Sequence, residues 1–173
     1  MIYHSTKTYG HERGLSCAFR QWKANSHCAQ LHGYALSIHL DFAAFELDER
    51  NWVIDFGALD EVKAYLDHMF DHTVIMAEDD PLLDVFVKMN DTKLANVVVV
   101  RRTGCEAFAQ MVWAWVDQWL TDNGHKPRVW LHKVEVKEHG ANGAIFEHTP
   151  QGVKYERIGD VCCTTFINPK DRE

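Results

Sequence analysis

The alternation of apolar and polar side chains between Tyr34 and Ala44 constrains the fold more than any other feature of the sequence. Four apolar residues point one way and three polar residues the other: Leu36, Ile38, Leu40 and Phe42 against Ser37, His39 and Asp41. A period of two residues is typical of a β-strand with one buried face. His32 and Tyr34 share the parity of the apolar set, and Cys28 lies in the loop before them. We therefore expect a thiol, an imidazole and a phenol to enter one buried region where this strand begins.

The bulk composition predicts one globular domain over residues 1–173. Of the 173 residues, 46% are hydrophobic and 25% are charged, which is enough to bury a core. The longest apolar runs, such as residues 97–100, are too short to cross a bilayer. The first residues show no basic region followed by an apolar stretch, so we expect a cytoplasmic protein. The net charge of −7 argues against a nucleic-acid partner, and the odd number of five cysteines argues against a disulfide framework.

The other periodic segments predict an α+β fold with an antiparallel sheet and helices on one face. Strands are predicted at residues 15–22, 34–44, 52–56, 97–101 and 129–138. The first helix is predicted from about Leu59 to His68, and the second carries an apolar stripe from Phe108 to Trp119. Thr103, with Glu106 three residues later, predicts a capping box at the start of the second helix. Residues 144–146 and 153–155 are typical of a further hairpin.

Glu138 is the first candidate functional residue, because it shares the parity of Trp130, Val134 and Val136 on the last strand. A carboxylate on the buried side of a strand must be paired or hydrogen-bonded. One interpretation is a buried ion pair, or a strand end that has returned to solvent. The other is a clamp for a ligand with two parallel N–H donors, such as the edge of a pterin, because a carboxylate offers two acceptors in one plane.

Two further sets of residues could transfer protons. Cys28 lies beside His27 and four residues before His32. It is either a small buried side chain or a thiol activated by a nearby positive charge. Asp67 and His68 end the first helix, where a histidine can simply cap the C-terminus. The alternative is that these two residues orient and carry a proton.

Six segments resemble, in order, motifs of the 6-pyruvoyltetrahydropterin synthase family. Residues 28–34 resemble Cys-x3-His-Gly-His, with Tyr34 in place of the second histidine. The other five are residues 15–20 (Phe-x-Ala-Ala-His-Arg), 52–56 (Met/Trp-Val-x-Asp-Phe), 66–68 (Leu-Asp-His), 103–106 (Pro-Thr-x-Glu) and 136–138 (Val-x-Glu). The three-residue spacing after Cys28 is similar to that of the 6-carboxytetrahydropterin synthase branch. The tail from about residue 140 is atypical of the family.

The resemblance implies a tunnelling fold, in which a four-stranded antiparallel sheet carries two helices, and trimers pair into a hexamer with active sites between subunits. It implies the following roles: Cys28 as the proton-transferring thiol, Asp67 and His68 as its relay, and Glu138, Thr103 and Glu106 as pterin-binding residues. The implied substrate is 7,8-dihydroneopterin triphosphate. The implied products are 6-carboxytetrahydropterin, acetaldehyde and triphosphate, and the first of these feeds 7-deazaguanine (queuosine-type) synthesis.

The metal positions depart from the family, which binds zinc through three histidines. The matching positions are Phe19, His32 and Tyr34. Phenylalanine cannot ligate, tyrosine ligates only as the phenolate against a pKa of about 10, and catalytic zinc keeps three protein ligands. Either zinc has been lost, or other residues complete its site. The candidates are His27, His11 and His72.

Three functions remain open on the sequence alone. The first is a lyase of the 6-carboxytetrahydropterin synthase type, which the retained Cys28, His68 and Glu138 favour. The second is a pterin- or purine-binding protein of the same fold without this chemistry, which the altered metal positions favour. The third is a related enzyme that uses Tyr34 as an acid or hydrogen-bond donor on a different pterin side chain. All three predict a small-molecule ligand, and none predicts a membrane partner.

Overall fold

A computed structural model describes residues 1–148, so the strand predicted at residues 153–155 lies outside the described residues. Within residues 1–148 the chain forms seven strands and three α-helices. In chain order they are β1 (Tyr3–Tyr9), β2 (Leu15–Phe19), β3 (His32–Ala44), α1 (Asp60–Phe70), β4 (Thr73–Ala77), α2 (Leu83–Asp91), β5 (Asn96–Val100), α3 (Cys105–Asp122), β6 (Val129–His139) and β7 (Asn142–Glu147). None of these three helices has both the length and the apolar character needed to cross a membrane.

The sheet has the strand order β5-β4-β2-β3-β6-β7, with β1 paired to β3. One edge of β3 pairs with β2 over residues 32–36 and with β1 over residues 38–44, and its other edge pairs with β6. These pairings are antiparallel, whereas β4 and β5 extend the sheet in parallel from β2. The α+β prediction is therefore confirmed, but the described part of the sheet has seven strands and not four. β4 and α2 come from residues 69–96, where the sequence shows no clear periodicity, whereas β5 matches the strand predicted at residues 97–101.

The alternation of β3 is confirmed by its burial. Leu36, Ile38, Leu40 and Phe42 are all 0% exposed. They belong to one core with residues of α1 and α3, including Val62, Leu66, Phe108, Val112 and Val116. Each large apolar side chain that is fully buried contributes about 1.5–3 kcal/mol relative to exposure. This core anchors β3, and with it the loop and the strand start that carry Cys28, His32 and Tyr34.

The strand predicted at residues 52–56 is wrong. This segment is a loop that leads into a 3-10 helix at Phe56–Leu59. Val53 and Ile54 are both buried although they are adjacent, which a strand with one buried face does not allow. Arg128 satisfies backbone carbonyls that a partner strand would otherwise pair with. Its guanidinium donates hydrogen bonds to the carbonyls of Trp52 and Val53 at 3.3 and 3.0 Å.

Trp130 is buried, as predicted, but a bulge separates it from Val134 and Val136, with which it was predicted to share a face. The register between β3 and β6 shifts between Asp41 and Phe42, so that one residue of β6 has no direct partner. A bulge of this kind reverses the facing of all residues on one side of it. Leu131 therefore joins Val134 in the core, while the Trp130 ring packs on Phe45 with centroids 4.9 Å apart. Glu138 lies beyond this bulge, at a second register shift opposite β7, and is half-buried.

Candidate functional site

Glu138, Tyr34 and Cys28 lie near one another where β3 begins and β6 ends. Burial raises the pKa of the Tyr34 phenol, and the nearby Glu138, Cys28 and Cys105 raise it further. Burial raises the pKa of the Cys105 thiol to about 12, with added effects of Glu138 and Glu106. The Glu138 cluster is defined here as Cys28, Tyr34, Cys105, Glu106 and Glu138. The structure thus brings together four residues predicted for the site, and adds Cys105, which the sequence interpretation missed.

The loop that carries Cys28 is held by the two residues that follow β2. The backbone N–H of Gln21 donates to the Cys28 carbonyl at 2.9 Å, and Arg20 Nη1 donates to the Ala29 carbonyl at 3.2 Å. The Cys28 N–H donates in turn to Ser26 Oγ at 3.3 Å. The thiol side chain stays half-buried. A fixed backbone with a reachable side chain suits a group that must meet a ligand.

The same two residues hold the start of α3. Gln21 Nε2 donates to the Thr103 carbonyl, and Thr103 Oγ1 donates to the Arg20 carbonyl, both at 2.7 Å. The predicted capping box is wrong, because the N-cap is Gly104 and no side chain caps the helix. Gly104 has φ 107°, and a Cβ there would overlap Gln21 Nε2, so glycine is required. In the pattern Pro-Thr-x-Glu, the threonine lies two residues before the glutamate. In this chain Gly104 lies two residues before Glu106, and Thr103 lies three residues before it.

Thr103 was predicted to bind the pterin, and its surroundings indicate a supporting role as well. The residue is buried, and its hydroxyl proton is used by the Arg20 carbonyl. Its contact to Gln21 links α3 to the Cys28 loop. Arg20, Gln21 and Thr103 therefore set the relative positions of the thiol and of Glu106 in the first turn of α3.

Arg20 is itself locked by Asp80. The guanidinium donates to both carboxylate oxygens, from Nε at 2.7 Å and from Nη2 at 2.6 Å. The Asp80 side chain is only 1% exposed. Hydrogen bonds from Arg20 hold the pKa of Asp80 below its usual range, against the opposing effect of burial. Because the pair is buried and doubly hydrogen-bonded, it fixes Arg20, and Arg20 fixes the Cys28 loop.

We expect Asp80→Asn to lower the free energy of unfolding by about 3 kcal/mol at pH 7, because Arg20, whose side chain is only 15% exposed, loses its charged partner. The lowered pKa means that the carboxylate stabilises the fold above about pH 4, and that this contribution is lost as the pH falls through the folded-state pKa. The difference in the free energy of unfolding between wild type and Asp80→Asn should therefore be smaller in acid. Urea unfolding at pH 7 and pH 3 measures it.

The control is Asp79→Asn, which removes the neighbouring carboxylate from an exposed pair with Lys23 at 2.6 Å. Exposed pairs contribute little, so this variant should unfold nearly like wild type. Equal losses for the two variants would contradict the role assigned to the Arg20–Asp80 pair.

The three positions that match zinc ligands in the family converge in this structure. Phe19 on β2 pairs directly with His32 on β3, and their ring centroids are 5.3 Å apart. Tyr34 lies 5.5 Å from His32 and 6.2 Å from Phe19. His32 Nδ1 donates to the Gln30 carbonyl at 2.8 Å, so Nε2 carries the free lone pair. The arrangement of the site is retained, but only one of its three side chains is a good ligand for zinc.

Other residues do not complete a zinc site in the described part of the chain. Phe19 has no donor atom and is buried against Phe108, at 5.1 Å between centroids. His11 and His72 hydrogen-bond elsewhere, to the Ala35 carbonyl and to Asp71. No group of three or more His, Cys, Asp or Glu residues in positions 1–148 is placed to hold a metal ion. Within residues 1–148 of one chain, the side chains present at this site do not fit zinc.

Asp67 and His68 lie apart from Cys28 within one chain. Asp67 accepts two hydrogen bonds from Arg13 Nη2, at 3.0 and 2.7 Å. Arg13 precedes β2 whereas the Cys28 loop follows it, so the length of β2, roughly 16 Å, separates them. His68 is exposed. A relay that joins these residues to Cys28 therefore needs a second copy of the chain, and it stays a prediction.

A cleft of about 460 Å³ adjoins the Glu138 cluster and shares the supporting residues Gln21 and Thr103 with it. Three cations line it, together with two acidic residues: Lys23, Arg101 and Arg102, with Glu78 and Asp79. Lys23 is paired with Asp79. The cationic groups of the cleft therefore lie next to the Glu138 cluster, and no member of that cluster lines the cleft.

Comparison with known proteins gives a family match that includes the whole cluster. The sequence model described as 6-pyruvoyl tetrahydropterin synthase matches residues 10–149. Curated relatives from Rickettsia felis and Rickettsia conorii, both named 6-carboxy-5,6,7,8-tetrahydropterin synthase, are each 39% identical over 54 residues. That stretch covers 31% of this chain and only 39% of each relative.

Solved structures show the same fold. An uncharacterized protein from Wolinella succinogenes has a TM-score of 0.73 at 21% identity, covering 86% of this chain and 99% of its own. A 6-pyruvoyltetrahydropterin synthase from Plasmodium vivax has a TM-score of 0.62 at 17% identity, covering 86% and 98%. The corresponding protein from Plasmodium falciparum has a TM-score of 0.61 at 16% identity, covering 85% and 98%. At these identities the likeness concerns the fold.

Proposed function

Because this chain belongs to the 6-pyruvoyl tetrahydropterin synthase family, we propose that it binds a pterin at Glu138 and acts on the pterin's side chain with Cys28. The proposed reaction converts 7,8-dihydroneopterin triphosphate and one water into 6-carboxytetrahydropterin, acetaldehyde and triphosphate. The observation that carries the proposal is that the half-buried carboxylate of Glu138 and the accessible thiol of Cys28 lie in one cluster. The names of the Rickettsia relatives support this branch of the family.

The ring is held by the carboxylate of Glu138. Its two oxygens accept the ring N–H and the exocyclic amino group of the pterin, the planar match that charged bidentate pairs provide. Glu106, in the first turn of α3, also raises the pKa of the Cys105 thiol and would add a second acceptor near this edge. Partial burial of Glu138 strengthens its hydrogen bonds, because the effective dielectric constant is lower there than in water.

The thiol of Cys28 moves the proton. Loss of triphosphate and cleavage of the side chain both require removal of a proton from one group of the ligand and its return to another. A positioned side chain that does this contributes about 10²–10⁴-fold to a rate. The backbone contacts from Gln21 and Ser26 hold Cys28 in place for the transfer. The cations of the adjoining cleft, Arg102 among them, would receive the triphosphate.

The proposed enzyme is a homo-oligomer, in which a second copy brings Asp67 and His68 to Cys28. Within one chain these residues lie at opposite ends of β2, so the relay is incomplete without a partner. In the described part of the chain β1 pairs only with β3 and β7 only with β6, which leaves strand edges for a neighbouring subunit. Light scattering measures the mass in solution, and a stable, active monomer would contradict this assembly.

Release of acetaldehyde and triphosphate from 7,8-dihydroneopterin triphosphate tests the reaction. We expect both products in equal amounts, together with 6-carboxytetrahydropterin. The assay is run at high enzyme concentration with and without added zinc, so that a missing metal does not hide the activity. Absence of both products under both conditions would refute the lyase.

A second function is favoured by Phe19, which has no donor atom where the family has a zinc ligand. It is a pterin-binding protein, or an enzyme for a different pterin side chain. Tight binding of pterins without release of either product would support it over the lyase.

A further inference from the structure

We infer that Tyr34 and His32 together bind the hydroxyl groups of the ligand's side chain by hydrogen bonds, and that this site works without a metal ion. The inference rests on the proposed function, because it takes the pterin ring to be held by Glu138. Phe19, His32 and Tyr34 converge at the positions that match zinc ligands in the family, but only His32 is a good ligand for zinc.

The geometry gives both residues access to the same ligand. Their rings meet edge-on, with centroids 5.5 Å apart and an interplanar angle of 88°. The Tyr34 phenol is close enough to Glu138 and Cys28 to be affected by their charges. A side chain that extends from a ring on Glu138 toward the Cys28 thiol would therefore pass Tyr34.

Tyr34 acts as a hydrogen-bond donor. A phenol has an ordinary pKa of about 10, so its hydroxyl keeps its proton at neutral pH and can donate to a ligand oxygen. A phenolate that could ligate zinc is disfavoured for the same reason. No hydrogen bond joins the Tyr34 hydroxyl to another residue among positions 1–148. Tyr34 is a half-buried residue, and a ligand oxygen is the partner that this arrangement would accept.

His32 acts as the acceptor. Its Nδ1 proton is used by the Gln30 carbonyl, which leaves the lone pair of Nε2 for a donor. An adjacent donor and acceptor match hydroxyl groups, because each hydroxyl can both accept and donate. Phe19 closes the region with an apolar ring that is packed on Phe108. The pair therefore favours a pterin with a hydroxylated side chain over one with an alkyl group.

Two measurements on the full-length protein test the inference. The first is the zinc content of protein purified without chelator, where we expect far less than one zinc per chain. The second is the affinity for neopterin, which carries hydroxyl groups, relative to 6-methylpterin. Tyr34→Phe should reduce this preference about fivefold, the equivalent of one hydrogen bond of about 1 kcal/mol. Its affinity for 6-methylpterin should be unchanged.

The matched control is Tyr9→Phe, which removes a hydroxyl from a buried tyrosine outside the cluster and should leave both affinities as in wild type. Stoichiometric zinc in the wild-type protein would overturn the inference. An unchanged preference in Tyr34→Phe would also overturn it, while the pterin site itself would stand. Failure of both pterins to bind wild type would instead refute the proposed function, and the inference with it.

Discussion

Cys28→Ala is expected to reduce the release of acetaldehyde and triphosphate by about 10³-fold, within the range of general acid–base catalysis, while pterin binding survives. The side chain is half-buried at the edge of the cluster, so its loss removes the proton carrier without opening the core. The main contacts of the loop are made by the backbone and are kept by alanine. Turnover and pterin affinity, measured on the same preparation, separate the two effects.

The matched control is Cys17→Ala. This thiol lies on β2, and burial raises its pKa to about 12, so it stays protonated and takes no part in proton transfer. The variant should lose some stability but keep the turnover number of wild type. A rate near that of wild type in Cys28→Ala would show that another group carries the proton, and Tyr34 would be the first to examine.

Glu138→Gln is expected to weaken pterin binding by about 10- to 100-fold. The amide keeps the shape of the side chain but loses its charge, and one of its two ends becomes a donor facing an N–H of the ligand. Hydrogen bonds to a charged group contribute about 1.5–3 kcal/mol, which corresponds to this range. Fluorescence titration with 6-methylpterin measures the loss on the ring alone, independently of side-chain chemistry.

The same substitution at Glu135 provides the control. Glu135 lies on the same strand but on the opposite face, where it pairs with Lys137 at 3.3 Å. Glu135→Gln should bind 6-methylpterin like wild type. If Glu138→Gln did so too, the carboxylate would not be the anchor, and Glu106 would be the remaining candidate.

Some elements could be predicted from the sequence because local periodicity records which face is buried. β3 and α3 have strong apolar periodicity, and both are found close to their predicted ranges. α1, predicted from about Leu59 to His68, is observed at Asp60–Phe70. β1 was missed because it is mostly exposed and has little apolar periodicity. It is held by long-range contacts to β3, such as His4 Nδ1 to Asp41 Oδ1 at 2.8 Å.

The sequence by itself determined the residue types of the site and their order along the chain: a thiol before β3, an imidazole and a phenol in its first residues, and a carboxylate near the end of β6. It also determined the loss of two histidines, because the side chains at positions 19 and 34 can be read directly. Only the tertiary structure decided which groups meet. It added Cys105 to the cluster, gave Thr103 a supporting contact to Arg20, tied the Cys28 loop to Asp80 through Arg20, and placed Asp67 at the far end of β2. The reason is physical: periodicity reports the burial of each residue, whereas contacts between distant residues depend on strand register, a bulge and the positions of loops.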